Sequence, residues 1–495
     1  LQPLEDGEIG LLAYFDLANA SSISAILTGD LGWAANQRVM LLGRAPSAEA
    51  RGCALAMDQF ARAQTASAPR ASIPGPLRFE FADLPVAAAD RATSEVLDLA
   101  KVAANLRAAL LVDLDRERIV RAVIEAVSRL KRRDHRRRRD AIEMIGRKVG
   151  ISRQVLDASI DALLAPFHEE AIRAAASRLK LTGELIGFIM AGNVVGAGIH
   201  EVLLALICGA AVMAKSSSAE PYFLRALAET IARVDPEVAN RIAVLSFTRE
   251  RSDLSARLRA LCEKMVVYGD DSTLEALHGS GLVGFGSKAS GALVAAEALR
   301  ADERRAAVGA LARDVVLFEQ RGCLSPSHVF VVGRREVSQR FSAALGAELE
   351  KTARGDFPPA RLNLNLAAQI QAVREAARWR KIAGASLDLL EGGGLQWTIV
   401  SEPDARFIVS PGYRTVFVSA VEDVDDFKRR LLGFEGRIEG FSVADPKSEL
   451  GGFVSYLRSI GVGWICPPGS AQSPPLMWPH GNGAFLGPLL LPETA

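Results

Sequence analysis

From residue 184 onward, short apolar runs alternate with longer amphipathic stretches, and this alternation limits the folds that the chain can adopt. The runs ELIGFIM, AAVMAK, RIAVLSF and KMVVY have the length of buried strands. Between two of them, Phe223, Leu224, Leu227 and Ile231 recur at the spacing of one helical face. Strands that alternate with helices form a parallel sheet covered on both faces. The pattern therefore predicts an α/β fold with a doubly wound parallel sheet.

The regions on either side of this sheet have different patterns. After residue 302, the strand-like runs SHVFVVG, RTVFVSA and GVGWIC predict a second α/β stretch. Before the sheet, amphipathic helical patterns begin at about residue 94. Residues 62–80 are rich in Ala, Ser and Pro and lack a periodic apolar pattern, so we interpret them as a linker after a short unit at residues 1–61.

The composition favours small-molecule chemistry. With 495 residues, of which 49% are hydrophobic, the chain can bury large cores, and its net charge of +1 gives no overall reason to bind nucleic acid or an anionic membrane. The cysteines form no CxxC pair, so we expect neither a disulfide framework nor a metal site, and a reducing cytoplasm fits best. The five cysteines are Cys53, Cys208, Cys262, Cys323 and Cys466.

A local exception to this charge balance is the basic run RLKRRDHRRRR at residues 129–139. It contains no aromatic residue for base stacking and leads into an amphipathic pattern, so a solvated helix face is favoured over a nucleic-acid site. A docking patch for an acidic carrier protein or for the phosphates of CoA is a further alternative.

The first residues, LQPLEDGEIG, are acidic and lack the pattern of a secretory leader. Because the chain has no initiating Met, we expect it to be a piece of a longer polypeptide.

The most apolar stretch, residues 185–214, contains Asn193, His200 and Glu201. A lipid-facing helix would tolerate these poorly, so we expect strand, loop, helix and strand within a core and no transmembrane segment.

Cys323 is the cysteine whose surroundings indicate chemistry. A helical pattern runs into Gly322, and Pro326 prevents the helix from continuing before the next strand. A turn beside a helix end can hold the partly exposed thiolate that a nucleophile requires. Cys208 and Cys262 lie within apolar or amphipathic helical patterns, so we expect them to be buried structural thiols. From pattern alone, Cys323 is open to either a packing or a catalytic role.

Two ordered segments resemble the aldehyde dehydrogenase superfamily. EQRGC followed by SPSHVFV resembles its nucleophile segment, and residues 184–223 resemble its strand, Asn loop, helix, strand and Lys segment. The details GNVVGAG, AKSSSAEP, ARVDPEVAN and WPHGNGAFLGPLL are most similar to the long-chain acyl-CoA (acyl-protein) reductases of bacterial bioluminescence operons. This likeness covers roughly residues 81–495. It implies an aldehyde dehydrogenase-like fold, with an NADP-binding domain at 81–295, a catalytic thiol domain at 296–465 and a segment at 466–495 that returns to the cofactor domain or to oligomer contacts.

The resemblance also implies the catalytic groups. Cys323 would accept the acyl group, and Asn193 would donate to the oxyanion together with the backbone N–H of Cys323. Gly284 occupies the position at which hydrolytic members carry a glutamate base, so the acyl enzyme would survive long enough to be reduced. His328 lies in an alternating strand, and we expect it to pack or form hydrogen bonds rather than transfer protons.

The same resemblance implies how a nicotinamide cofactor is held. Lys215 would contact the adenosine ribose, and Gly269 would lie in the loop near the pyrophosphate. Ser218 stands where NAD-preferring members often have an acidic residue, which leaves room for a 2′-phosphate. We therefore expect NADPH to be the cofactor.

Residues 7–53 have a resemblance of their own, to the C-terminal part of an adenylate-forming acyl-protein synthetase. It implies that Asp30 binds an adenylate ribose, that Arg44 lies near a hinge and that Cys53 is a candidate acyl acceptor. We therefore expect a short N-terminal remnant of an adenylate-forming domain.

Together these features predict NADPH-dependent reduction of a long-chain acyl thioester, on CoA or on a protein, to a fatty aldehyde through acyl-Cys323. Two alternatives are open: an aldehyde dehydrogenase or acyl-phosphate reductase that uses the same thiol, and a non-catalytic scaffold of an acyl-transfer complex. The expected partners are the acyl donor, an acyl-protein synthetase or acyl carrier protein, and further copies of the chain in a homo-oligomer.

Overall fold

A computed structural model describes the backbone of residues 10–15, 25–35 and 38–44, and residues 98–490 apart from 270, 277–280 and 300. Contacts divide the chain into two units, Leu1–Phe79 and Glu80–Ala495. The first unit contains an antiparallel sheet in the order β1-β2-β3. Its strands are β1 (Gly10–Phe15), β2 (Ala25–Ala35) and β3 (Arg38–Arg44).

The second unit begins with a layer of helices that precedes the first parallel sheet. These are α1 (Leu99–Leu110), α2 (Arg116–Lys131), α3 (Arg136–Val149), α4 (Arg153–Leu164) and α5 (Glu169–Arg178). The basic run spans the end of α2 and the start of α3, and it is not simply a solvated face. Arg138 is fully buried, and its guanidinium contacts Asp157 at 3.0 Å and Asp161 at 2.7 Å. One residue of the run is therefore part of the helix packing.

The first parallel sheet has the strand order β6-β5-β4-β7-β8. Its strands are β4 (Leu185–Ile189), β5 (Ala211–Lys215), β6 (Ile242–Leu245), β7 (Lys264–Tyr268) and β8 (Leu282–Phe285). The connecting helices are α6 (Ile199–Ile207), α7 (Phe223–Val234), α8 (Pro236–Ala239), α9 (Ser252–Leu261) and α10 (Asp271–Ala276). Since β5 and β6 extend the sheet to one side of β4, and β7 and β8 to the other, the order reverses between β4 and β7. Ligands of open α/β sheets bind outside the carboxyl ends of the strands at such a reversal.

The second sheet has the order β11-β12-β13-β10-β9-β14-β15, parallel except for β11. Its strands are β9 (Ala289–Val294), β10 (Pro326–Val332), β11 (Asp388–Glu391), β12 (Thr398–Ser401), β13 (Thr415–Val421), β14 (Ile438–Ala444) and β15 (Trp464–Cys466). The associated helices are α11 (Ala301–Val316), α12 (Arg335–Arg354), α13 (Leu364–Ile382), α14 (Val424–Leu431) and α15 (Gly451–Ser459). Because β9 pairs with β10 and β14, the change from one sheet to the other falls between residues 285 and 289.

After β15 the chain returns to the first sheet and its helices. The backbone N–H of Lys180 donates to the Leu489 carbonyl at 2.9 Å, and Phe485 meets the ring of Phe188 at 6.2 Å between centroids. On the way it forms a single turn, α16 (His480–Gly483). Within the part of the chain described here, no helix combines the length and apolar character needed to cross a membrane.

Candidate functional site

Cys323 lies in the turn that joins α11 to β10, as its sequence pattern indicated. The Ser325 N–H donates to the Gly322 carbonyl at 3.0 Å, and the Ser290 hydroxyl donates to the Cys323 carbonyl at 2.6 Å. The thiol is half-buried. It therefore combines a fixed backbone with partial access to solvent, which suits a nucleophile.

The other cysteines with described side chains are buried. Burial raises the pKa of the Cys208 thiol to about 11, and that of Cys262 and Cys466 to about 12. The expectation that Cys208 and Cys262 are structural is confirmed. Cys323 is thus the partly exposed thiol among the described cysteines.

The backbone immediately before Cys323 is left-handed over three consecutive residues. Phe318, Glu319 and Gln320 have φ angles of 55°, 51° and 56°, a conformation that costs an L-residue about 1–2 kcal/mol. Buried contacts offset this strain. Glu319 and Arg414 form an ion pair at 2.9 Å with neither side chain more than 1% exposed. The Gln320 amide bonds both the N–H and the carbonyl of Thr415, at 2.7 and 2.8 Å. These contacts fix the direction in which the chain reaches Cys323.

Asn193 lies in the loop after β4, beside the Cys323 turn. Its Nδ2 donates to the Arg321 carbonyl at 2.8 Å. The loop continues through Gly196 to the start of α6, and Glu220 accepts a hydrogen bond from the Gly196 N–H at 3.3 Å. The Asn193 side chain therefore contacts the backbone only two positions before Cys323.

A histidine and a glutamate that the sequence did not single out as site residues also lie here. Glu201, on α6, is only 3% exposed, and its Oε1 lies 2.7 Å from Nδ1 of His480 in the α16 turn. The Cys323 side chain contributes to raising the pKa of His480. The available signal was the charge of Glu201 within the otherwise apolar helix IHEVLLALI, since buried carboxylates are rarely found without a partner.

Burial opposes the charge on His480 and on Glu201, but their mutual attraction prevails. For His480, burial lowers the pKa, whereas the Glu201 charge and the Cys323 side chain raise it, to about 10 in total. For Glu201, burial raises the pKa, whereas the His480 charge and hydrogen bond lower it, to about 2. The pair is therefore ionised at neutral pH.

Aromatic rings hold His480 in place. Phe285, at the end of β8, stacks on it at 4.0 Å and 7°, and Trp478 stacks at 4.5 Å and 13°. Gly481 follows at φ 56°, and a Cβ there would lie 2.6 Å from the Phe285 ring. A side chain at position 481 would thus displace the ring that positions His480. Gly284, which stands at the position expected to carry a glutamate in hydrolytic enzymes of this fold, directly precedes Phe285 in β8.

The expected cofactor residues lie at the carboxyl edge of the first sheet. Lys215 ends β5, and its ammonium lies 5.5 Å from the centroid of the Phe247 ring. Burial lowers the pKa of Lys215, the charge of Arg249 lowers it further and Glu250 opposes this. Arg249 Nη2 also donates to Thr273 Oγ1 at 3.0 Å. Two neighbouring cations at this edge suit a phosphate-bearing cofactor.

Ser218 and Gly269 lie at the same edge. Ser218 is exposed three residues beyond the end of β5, and no acidic side chain occupies its position. Gly269 follows β7 directly and donates its N–H to the Phe285 carbonyl at 3.2 Å. The three residues expected to hold the cofactor therefore lie at or just beyond the carboxyl ends of two strands of one sheet, β5 and β7.

Other expected residues have different positions. His328 is fully buried, bonds Ser419 Oγ at 2.9 Å and accepts the Ile408 N–H at 3.1 Å, so its expected packing role is confirmed. Asp30 and Arg44 are paired in register between β2 and β3, but their side chains lie outside the described part of the structure. Cys53 lies outside the described residues altogether.

Residues 180–486 match the family described as acyl-CoA reductase (LuxC). The chain belongs to this family. The match contains Asn193, Glu201, Cys323 and His480, so the whole cluster lies within the region that defines an acyl-CoA reductase of this type.

Two named proteins are similar to about half of this chain. Long-chain acyl-protein thioester reductase 2 of Photobacterium leiognathi is 22% identical over 246 residues, or 48% of this chain and 49% of that protein. The long-chain acyl-protein thioester reductase of Aliivibrio fischeri is 24% identical over 246 residues, with the same coverage. The alignments thus span about half the length of these relatives.

The fold of this acyl-CoA reductase family member is that of the aldehyde dehydrogenases. Aldehyde dehydrogenase 21 of Physcomitrella patens has a TM-score of 0.62 at 12% identity, covering 80% of this chain and 89% of that one. Succinic semialdehyde dehydrogenase of Streptococcus pyogenes has a TM-score of 0.59 at 15% identity, covering 76% and 88%. The expected aldehyde dehydrogenase-like fold is confirmed.

Proposed function

We propose that this protein reduces a long-chain acyl thioester, carried on CoA or on a protein, to the fatty aldehyde, with Cys323 as the acyl acceptor and NADPH as the reductant. The observation that carries the proposal is the half-buried Cys323 thiol on a fixed turn, while the other described cysteines are buried. Two relatives named long-chain acyl-protein thioester reductases support the substrate class.

Cys323 and Asn193 account for the acyl transfer. The Cys323 sulfur attacks the thioester carbonyl, and the bond to the donor sulfur breaks, so that the donor leaves as a thiolate and takes a proton from solvent. An amide nitrogen carries two hydrogens, and Asn193 uses one of them on the Arg321 carbonyl. The other is available to the oxyanion, where one such donor contributes about 3 kcal/mol to lowering the barrier.

Reduction is favoured over hydrolysis because Gly284 provides no carboxylate to activate water. A reduced nicotinamide, when bound, would supply the hydride for the acyl carbon. When the bond from that carbon to Cys323 breaks, the aldehyde leaves and the thiolate is restored. Lys215 and Arg249 would hold the adenosine end, and the absence of a carboxylate at Ser218 supports NADPH over NADH.

A substrate panel with matched cysteine variants tests the proposal. Acyl-CoAs of several lengths, an acyl phosphate and an aldehyde are incubated with the protein and with NADPH, NADH or their oxidised forms, and the cofactor absorbance is followed. We expect NADPH oxidation with long acyl-CoAs, loss of both acylation and turnover in Cys323→Ser, and retention of both in Cys466→Ser. Full turnover by Cys323→Ser would refute the proposed acyl acceptor. Turnover with the acyl phosphate alone, or with the aldehyde alone, would refute the proposed substrate.

A further inference from the structure

Two loops leave the carboxyl edge of the first sheet side by side. The Asn193 loop (residues 190–198) follows β4, and the cofactor loop (residues 216–222), which contains Ser218, follows β5. We propose that Glu220 is a positioning residue that holds the Asn193 loop against the cofactor loop and so fixes the place of the oxyanion donor. The inference rests on the proposed function of Asn193. It gives a role to a buried carboxylate that the acyl transfer and the reduction do not themselves use.

The carboxylate of Glu220 bonds both loops at once. Its residue is only 8% exposed. Oε2 accepts the N–H of Gly196, in the Asn193 loop, at 3.3 Å. Oε1 accepts the N–H groups of Tyr222 and Phe223, at the start of α7, at 3.0 and 2.8 Å. The first N–H groups of a helix have no partner within the helix. One side chain therefore caps α7 and reaches across to the neighbouring loop.

The two loops also contact each other closer to the strands. The Met190 N–H donates to the Lys215 carbonyl at 3.0 Å. Further along, a Cβ on Gly192 would lie 2.8 Å from the Cβ of Ala219, so the backbone approaches too closely there for a side chain. The bond to Glu220 is the third contact, nearer the helices. The expected oxyanion donor directly follows the second contact, and the third contact holds the other end of its segment.

The length and charge of Glu220 both matter for this contact. Burial raises the pKa of Glu220 to about 7, while the three N–H donors and the charge of Lys148, on α3, oppose this. At pH 8 most of the carboxylate is therefore ionised, and both oxygens act as acceptors. A buried carboxylate is costly, and a shorter aspartate or serine is enough to cap a helix. What the longer glutamate adds is the bond to the Gly196 N–H.

The consequence for catalysis follows from the position of the Asn193 amide. Its Nδ2 already donates to the Arg321 carbonyl at 2.8 Å, so its remaining hydrogen points in one fixed direction as long as the loop is held. A displacement of about 1 Å caused by a change away from the reacting atoms can cost about a hundredfold in rate. Release of the loop should therefore lower the rate of the chemical step without removing any group that binds the substrate or the cofactor.

Two substitutions of Glu220 break the bond to the Asn193 loop in different ways. Glu220→Asp keeps the charge and a good cap for α7, but its side chain is one methylene shorter. In Glu220→Gln, the amide oxygen can serve the N–H groups of α7, but the NH2 group then faces the Gly196 N–H, so that donor meets donor. With long-chain acyl-CoA and NADPH at pH 8, we expect either variant to lower kcat by about ten- to a hundredfold, with KM for both reactants little changed.

A double-mutant cycle separates positioning from a general loss of structure. If Glu220 acts through Asn193, then Glu220→Asp or Glu220→Gln should lower kcat by less than about twofold when Asn193→Ala is already present, because coupled residues are not additive. A merely structural role predicts that the two losses multiply. A folded Glu220 variant with unaltered kcat, or with a loss that multiplies with that of Asn193→Ala, overturns the proposal.

Hydrogen exchange tests the same contact without substrate. Mass spectrometry of peptides from residues 190–198 should show faster exchange in both Glu220 variants than in the unaltered protein. The control is Asp423→Asn, which exchanges one good N-cap residue for another at the start of α14, where Asp423 is exposed and accepts the Asp426 N–H at 2.8 Å. It should change neither kcat nor this exchange.

Circular dichroism and thermal melting establish that each variant is folded; if Glu220→Gln does not fold, Glu220→Asp decides the question. Unaltered exchange of the loop in a folded variant overturns the proposal. If the unaltered protein reduces no acyl-CoA, the proposed function fails, and the exchange measurement alone decides whether Glu220 holds the loop.

Discussion

The buried ion pair of Glu319 and Arg414 provides a quantitative test of how the nucleophile turn is held. Arg414 donates to both carboxylate oxygens of Glu319, at 2.9 and 3.1 Å, and the Ala360 N–H donates to the same group at 3.1 Å. Arg414→Met would remove two of these three bonds and leave a carboxylate in a place with no access to water. Removal of one partner from a buried pair costs about 3–5 kcal/mol. We expect this loss in the free energy of unfolding.

The control is Arg354→Met, which breaks a similar pair with Glu350 at 2.6 Å but at a site where the arginine is 78% exposed. Pairs of this kind contribute about 0–1 kcal/mol. The unfolding free energies are measured by urea titration followed by tryptophan fluorescence. Adding Glu319→Gln to Arg414→Met should recover part of the loss, because the amide carries no charge that needs a partner. If Arg414→Met loses no more stability than Arg354→Met, the pair does not hold the turn.

Three further predictions concern the site and its surroundings. Asn193→Ala should lower kcat by about a hundredfold or more, as expected for one oxyanion donor, with little change in NADPH affinity measured by fluorescence titration. Ser218→Asp should weaken NADPH binding more than NADH binding, since it places a negative charge where a 2′-phosphate is expected; equal effects on the two cofactors would contradict the assignment. His328 has its pKa lowered to about 3 by burial and is therefore neutral in the folded state, while the unfolded chain binds a proton below about pH 6.5. The contribution of the neutral histidine to the free energy of unfolding should therefore be fully present well above pH 6.5 and about 1.4 kcal/mol smaller at pH 5.5. Urea titrations of His328→Gln at the two pH values should show a difference in unfolding free energy that is smaller by this amount.

The parts of the fold that follow from local periodicity were predictable. The runs at residues 184–190, 210–215, 241–247 and 264–268 each contain one strand of the first sheet, because a buried parallel strand needs a continuous apolar segment. The assignment of β9 was not predictable in the same way. Its residues, ASGALV, are as apolar as those of a strand in either sheet. Only pairing with β10 and β14 decides to which sheet it belongs.

Cys323 and the pair formed by Glu201 and His480 differ in the same respect. Cys323 could be found from the sequence because a helix end, a glycine and a proline surround it within a few residues. Glu201 and His480 are separated by 279 positions, and neither has a local pattern that points to the other. What the sequence does contain is an energetic conflict, since a carboxylate within an apolar helix must be either desolvated at high cost or paired. Glu201 is therefore best read as half of an interaction whose other half lies elsewhere in the chain, and the return of the C-terminal segment to the first sheet brings His480 to it. The same logic applies to Glu319, whose buried carboxylate pairs with Arg414, 95 positions away in the chain.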